Sequence, residues 1–163
     1  MIVPISVFAL LRNVPVTLTL YFIAVFTDFF DGYVARKQGL ASSKGADLDG
    51  TIDLIFVAFG LWWIYLFVPE LYVSYWPYLI IVLTSFVAFF LVSFVKLRRM
   101  AIPHFWLAKL AMALFATLLP VILLFGLQHW FIHVTWIVTV ISRIEMAIYI
   151  LLGRTDMDAR GLF

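Results

Sequence analysis

The side chains in this chain best suited to chemistry lie between Asp28 and Asp53, in the stretch DFFDGYVARKQGLASSKGADLDGTID. Asp28, Asp31, Gly32, Ala35 and Arg36 stand at i, i+3, i+4, i+7 and i+8, which is one stripe of an α-helix. Gly45, Asp49 and Asp53 stand at i, i+4 and i+8 and make a second stripe. Between the stripes, KQGLASSK is a polar turn with a Gly and adjacent serines. The pattern predicts a helical hairpin in which the four carboxylates of Asp28, Asp31, Asp49 and Asp53 face one another, with small residues opening a groove beside them. Both stripes run on into long apolar stretches. A carboxylate at a membrane boundary is costly unless something pairs with it, so these acids mark a functional site. Gathered in one cleft they would repel, and one or two divalent metal ions would neutralise them. Carboxylate oxygens suit Mg²⁺, Mn²⁺ or Ca²⁺ rather than zinc, and the chain has no Cys. Magnesium held by carboxylates keeps positions open for substrate phosphates, so the chemistry indicated is phosphoryl transfer.

The elements that must position these residues are membrane helices. Of the 163 residues, 66% are hydrophobic and 12% charged, whereas a soluble domain is closer to about a half and a quarter. One domain over residues 1–163 is the expectation for this length. Apolar runs at 14–30, 46–68, 75–95, 105–126 and 130–152 predict five full spans. Residues 2–11 are apolar but too few to cross a bilayer, which takes about 20 residues. They read poorly as a signal peptide, since no basic segment precedes them and Arg12 follows. Pro69-Glu70, Pro103-His104, the turn from Gly126 to His129, and Gly153 separate the runs. Pro120 should kink the fourth span near its far end. The fold class predicted is an all-α integral membrane bundle, with five full spans and an N-terminal partial helix.

Charge gives the topology. Five spans place the motif turn, the loop at 96–104 and the C-terminal tail on one side. Arg36, Lys37, Lys44, Lys96, Arg98, Arg99, Lys109, Arg154 and Arg160 cluster there, leaving only Arg12 and Arg143 of the 11 basic residues. By the positive-inside rule that side is cytoplasmic. A net charge of +2 in such a chain is a matter of topology, not of nucleic-acid binding. The absence of Cys excludes disulfides and thiol chemistry.

The pattern D-x2-D-G-x2-A-R-x8-G-x3-D-x3-D resembles the signature of the CDP-alcohol phosphatidyltransferase family. Asp28, Asp31, Gly32, Ala35, Arg36, Gly45, Asp49 and Asp53 match all its fixed positions, at the right spacing. The motif covers 26 of 163 residues; elsewhere the resemblance is to helical membrane protein in general. It implies a six-helix bundle, two divalent ions (Mg²⁺ or Mn²⁺), and CDP-diacylglycerol and a small alcohol as substrates among membrane lipids. Asp28, Asp31 and Asp49 are then chiefly metal ligands. Asp53 is the base for the acceptor hydroxyl and a further metal ligand. Gly32, Ala35 and Gly45 become the nucleotide floor, with Arg36 a cation near the diphosphate. Without the motif, the small residues would read as close helix packing and Arg36 as an interfacial anchor. Family members form homodimers, although no dimer signature is legible in this sequence. The apolar stub at 2–11 sits where the second half of the family's first helix would lie. The chain is therefore expected to start short of the family's beginning or at an internal Met, without acceptor contacts from that part.

Further positions compete with blander readings. Asp47 lies off the motif stripe and reads as a first-turn acid near a Ser cap, suited to the helix dipole. Lys96, Arg98, Arg99 and Lys109, with His104 beside them, could hold an acceptor's phosphate; the competing reading is topology-setting charge on anionic lipid. Lys109 stands out as a cation just inside an apolar helix. Arg143 and Glu145 are two apart in the last span and cannot simply pair with each other; the cleft, a structural ion pair or a dimer contact are the readings for Arg143. Trp62, Trp63, Trp76, Trp106, Trp130 and Trp136 fall toward span ends, as interfacial aromatics do.

The function expected is transfer of a phosphatidyl group from CDP-diacylglycerol to an alcohol with release of CMP, in phospholipid biosynthesis. Glycerol 3-phosphate is the first choice of acceptor, ahead of inositol phosphate, serine and phosphatidylglycerol. A membrane prenyltransferase would need a second acidic motif far away in a longer chain. An intramembrane cation-binding, transport or scaffold protein would leave Gly32, Ala35, Arg36 and Gly45 without a purpose.

Overall fold

A computed structural model describes residues 1–37, 43–98, 103, 105–154 and 161; within the helices, the side chains of 29, 31–37 and 43–54 lie outside that description. Among the described residues there are six helices and no strand: α1 (Ile2–Leu10), α2 (Val14–Lys37), α3 (Ser43–Phe67), α4 (Glu70–Leu97), α5 (Trp106–Phe125) and α6 (His129–Leu151). They group into two compact units, Met1–Glu70 and Leu71–Phe163.

The first unit holds α1, α2 and α3. The 9 residues of α1 rise only about 13 Å, the partial helix expected. Arg12 turns the chain with a positive φ of 52°, and Asn13 caps α2 by accepting a hydrogen bond from the Val16 amide at 3.2 Å. The core joins Ile5 and Ala9 of α1, Thr17, Leu18, Tyr21 and Ala24 of α2, and Trp63 and Ile64 of α3. The small side chains of Ala9 and Ala24 let the helix axes approach, which is how helices associate in lipid without a hydrophobic driving force between them. Trp63 is wholly buried, and its indole Nε1 donates to Ser6 Oγ of α1 at 3.0 Å. The sequence had suggested an interfacial role for this Trp. Its burial follows from that hydrogen bond, which satisfies the indole inside the unit.

In the second unit, Phe89 of α4, Phe105 ahead of α5, and Met146, Tyr149 and Ile150 of α6 form one buried cluster. Helix α4 begins earlier than the run at 75–95 suggested. It kinks at Tyr75 (φ −118°, ψ 15°), two residues before Pro77, since the proline ring restricts the backbone ahead of it. Helix α5 carries Pro120 inside and continues to Phe125. Thr135, Thr139 and Ser142 of α6 are buried. Their hydroxyls donate to carbonyls one turn back, those of Phe131, Thr135 and Thr139, at 2.7–2.8 Å. This is how a helix satisfies polar side chains where no water reaches. Trp136 is also core, at 5% exposure, while Trp76, Trp106 and Trp130 remain exposed.

Among the described residues, α4, α5 and α6 are long and apolar enough to cross a membrane. Helices α2 and α3 are 24 and 25 residues long, but their described apolar stretches are shorter, Val14–Asp28 and Ile55–Phe67. Three of the five spans expected from hydropathy are thus described as long apolar helices, and the other two correspond to α2 and α3, which carry the motif.

Candidate active site

The motif occupies the facing ends of α2 and α3. Asp28, Asp31, Gly32, Ala35 and Arg36 are all on α2, and Gly45, Asp49 and Asp53 are all on α3. Residues 38–42, between the helices, lie outside the described residues. So do the side chains of Asp31, Gly32, Ala35, Arg36, Gly45, Asp47, Asp49 and Asp53, although their backbone is helical. The side chain of Asp28 is described and exposed. Among the described residues no group of three or more His, Cys, Asp or Glu comes together.

What the structure does give is the register of the two helices. The Tyr21 ring of α2 lies 5.5 Å from that of Phe56 and 6.1 Å from that of Trp63, both on α3. Phe56 and Trp63 meet edge-on at 5.7 Å. Asp28 stands seven residues beyond Tyr21 toward the turn, and Asp49 seven residues from Phe56 toward the same turn. Seven residues are close to two helical turns, about 10 Å along the axis. Asp28 and Asp49 therefore occupy the same level of the hairpin, each on the stripe that carries an interlocked ring. Tyr21, Phe56 and Trp63 are the positioning residues that inspection of the motif alone misses. The heptad spacing Asp49–Phe56–Trp63 was the available signal, and it needed a partner helix to gain meaning.

The residue types suit the metal expected of them: carboxylates on α2 and α3 would offer the hard oxygen donors that Mg²⁺ or Mn²⁺ prefers.

The basic candidates lie at one end of the second unit. Lys96 is in the last turn of α4 and exposed, Arg98 follows it with a φ of 55°, and Lys109 is in the first turn of α5. The Lys109 ammonium stands 5.2 Å from the centre of the Trp106 ring, a cation–π contact that holds the side chain along its own helix. Lys96 and Leu151 line one shallow pocket, so the end of α6, with Arg154 beyond it, shares this face. Arg99 and His104 lie outside the described residues. Arg143 resolves differently from any simple pairing: its guanidinium lies 4.1 Å from the centre of the Phe86 ring and 5.8 Å from that of Phe89, both on α4. A ring face is a partner a guanidinium can use in lipid, where its charge cannot be hydrated. The Nε of Arg143 is buried without a hydrogen-bond partner among the described residues.

The family described as CDP-alcohol phosphatidyltransferase matches residues 1–141, across both units, and the chain belongs to that family. It is similar to a "CDP-diacylglycerol--glycerol-3-phosphate 3-phosphatidyltransferase" of Rickettsia bellii (strain RML369-C), 36% identical over 90 residues, which are 55% of this chain and 48% of that protein. The chain thus spans about half the length of the curated relative it matches. No solved structure gives a significant match. Family members generally depend on a divalent metal. Together with three helices long and apolar enough to cross a bilayer, the family makes this a membrane protein.

The register makes a prediction of its own. The chain has no Cys, so thiols can be introduced singly. Asp28→Cys with Asp49→Cys should be bridged by a short bismaleimide in the folded protein. Asp28→Cys with Ile64→Cys, displaced a further 15 residues along α3 and so about 22 Å, should not. Equal bridging of both pairs, read by mass shift after proteolysis, would contradict the register.

Proposed function

We propose that this chain transfers a phosphatidyl group from CDP-diacylglycerol to an alcohol, releasing CMP, and that glycerol 3-phosphate is the acceptor. One observation carries the reading: all eight motif positions fall on two consecutive helices, α2 and α3, in a chain whose family match spans residues 1–141. The name of the Rickettsia relative supports the acceptor, as do Lys96, Arg98 and Lys109 at one end of the second unit, with Arg99 next to them in sequence. The motif side faces the cytoplasm in this reading, because the basic residues gather there. A homodimer is part of the same proposal, by analogy with the family.

Asp28, Asp31, Asp49 and Asp53 would hold two divalent ions, which when bound would offset the charge of the diphosphate and of departing CMP. Gly32, Ala35 and Gly45 leave room for the nucleotide, and Arg36 balances the diphosphate. Asp53 accepts the proton of the acceptor hydroxyl. The freed oxygen bonds to the phosphorus that carries diacylglycerol, and the bond from that phosphorus to the bridging oxygen breaks. CMP leaves with the bridging oxygen and both electrons of that bond. Proton transfer by a positioned side chain contributes roughly 10²–10⁴-fold.

The test is CMP release from CDP-diacylglycerol by detergent-purified protein with Mn²⁺ or Mg²⁺, against glycerol 3-phosphate, inositol phosphate, serine and phosphatidylglycerol. Release should require both metal and glycerol 3-phosphate, and Asp53→Asn should lower it by about 10²–10⁴-fold with helical content unchanged. Wild-type turnover in that variant removes Asp53 from catalysis. Metal binding by folded protein without CMP release from any acceptor points instead to a non-enzymatic cation site. In the same assay Lys109→Ala should raise the acceptor KM with kcat little changed; an unaltered KM with lower yield of folded protein assigns Lys109 to structure.

A further inference from the structure

We infer that the start of α6 carries a second cation site, separate from the aspartate hairpin, in which His129 and His133 bind one late transition-metal ion such as Zn²⁺ through imidazole nitrogen. The two residues stand four apart in the first two turns of α6, so their Cβ atoms are about 5–6 Å apart on one face. That is the spacing by which paired helical His residues hold zinc. The Tyr75 hydroxyl is hydrogen-bonded to Nδ1 of His129. With the imidazole proton on Nδ1 donated to the Tyr75 oxygen, the contact fixes the ring and leaves the Nε2 lone pair for the metal. A partner on the second nitrogen is the usual means of orienting a metal-binding imidazole.

His133 is held from two sides. Its ring lies 5.5 Å from the Tyr75 ring and 5.2 Å from the Tyr78 ring, both in edge contact. The His129 ring stacks on the same Tyr75 at 6.0 Å. Both imidazoles thus lean on one phenol that is itself only 5% exposed, yet His129 is exposed and His133 partly so. Tyr75 is also the residue at the kink of α4, so the departure from helical backbone falls where α4 meets the imidazoles.

The surroundings admit a cation. Residues 71–78 and 126–136 contain no Lys or Arg. Imidazole pairs favour Zn²⁺, Cu²⁺ or Ni²⁺, while the hard ions suited to the hairpin prefer oxygen. The two sites therefore need not compete for the same metal. Two protein nitrogens leave the remaining coordination positions to water.

The test is calorimetric titration of Zn²⁺ into the full chain in detergent, with saturating Mg²⁺ present to occupy the hairpin. One Zn²⁺ per chain should bind. Binding should vanish in His129→Ala and in His133→Ala and persist in Asp49→Ala and in His104→Ala. Tyr75→Phe keeps the ring but removes the hydroxyl, and should weaken binding about 10–100-fold. If the alanine variants lose helical circular dichroism, His129→Gln and His133→Gln replace them, with the same loss expected. Zn²⁺ binding that survives both His substitutions, or is abolished by Asp49→Ala or His104→Ala, or is absent from the wild type, overturns the site and leaves the cluster as aromatic packing alone.

Discussion

Everything in the first unit depends on keeping two half-polar helices side by side in an apolar solvent. Carboxylates are costly facing lipid, so in the proposed reading α2 and α3 set their polar halves against each other. The interlocked rings of Tyr21, Phe56 and Trp63 fix that apposition from the apolar half. Trp63 extends it to α1 through its hydrogen bond to Ser6. The two helices are thus registered by aromatic packing about two turns from the level of Asp28 and Asp49.

The second unit solves the same solvent problem by other means. Its buried hydroxyls return to carbonyls of their own helix, and Arg143 rests on the rings of Phe86 and Phe89. Its charge is sorted by end. Lys96, Arg98, Lys109 and Arg154 gather at one, and the imidazoles of His129 and His133 stand at the other. A basic end suits the anionic leaflet and phosphorylated substrates alike, and for Lys109 the ring of Trp106 adds a fixed position.

The helices were legible because their signals are local: apolar runs, Pro and Gly between them, and the 3.6-residue stripe of Asp28, Asp31, Gly32, Ala35 and Arg36. The motif was legible because its residue types and spacing are specific. Partnerships between helices were not. Trp63 and Trp136 looked interfacial because a Trp near a span end can turn either way, and only a neighbouring helix decides. The contact of Tyr75 with His129 bridges 54 residues, and no periodicity predicts it. The start of α4 moved from 75 to Glu70 because a kink ahead of Pro77 lets the helix begin before the proline. The polar halves of α2 and α3 stayed helical, although hydropathy alone ran their spans partly through the motif.

In the proposed function the aspartates of α2 and α3 form one two-ion site. The most direct measurement is Mn²⁺ binding to the purified chain followed by electron paramagnetic resonance. Two ions per chain should bind, close enough to couple magnetically, with the coupled signal lost in Asp49→Ala and in Asp28→Ala alike. Uncoupled Mn²⁺, or a coupled pair indifferent to either substitution, would contradict it.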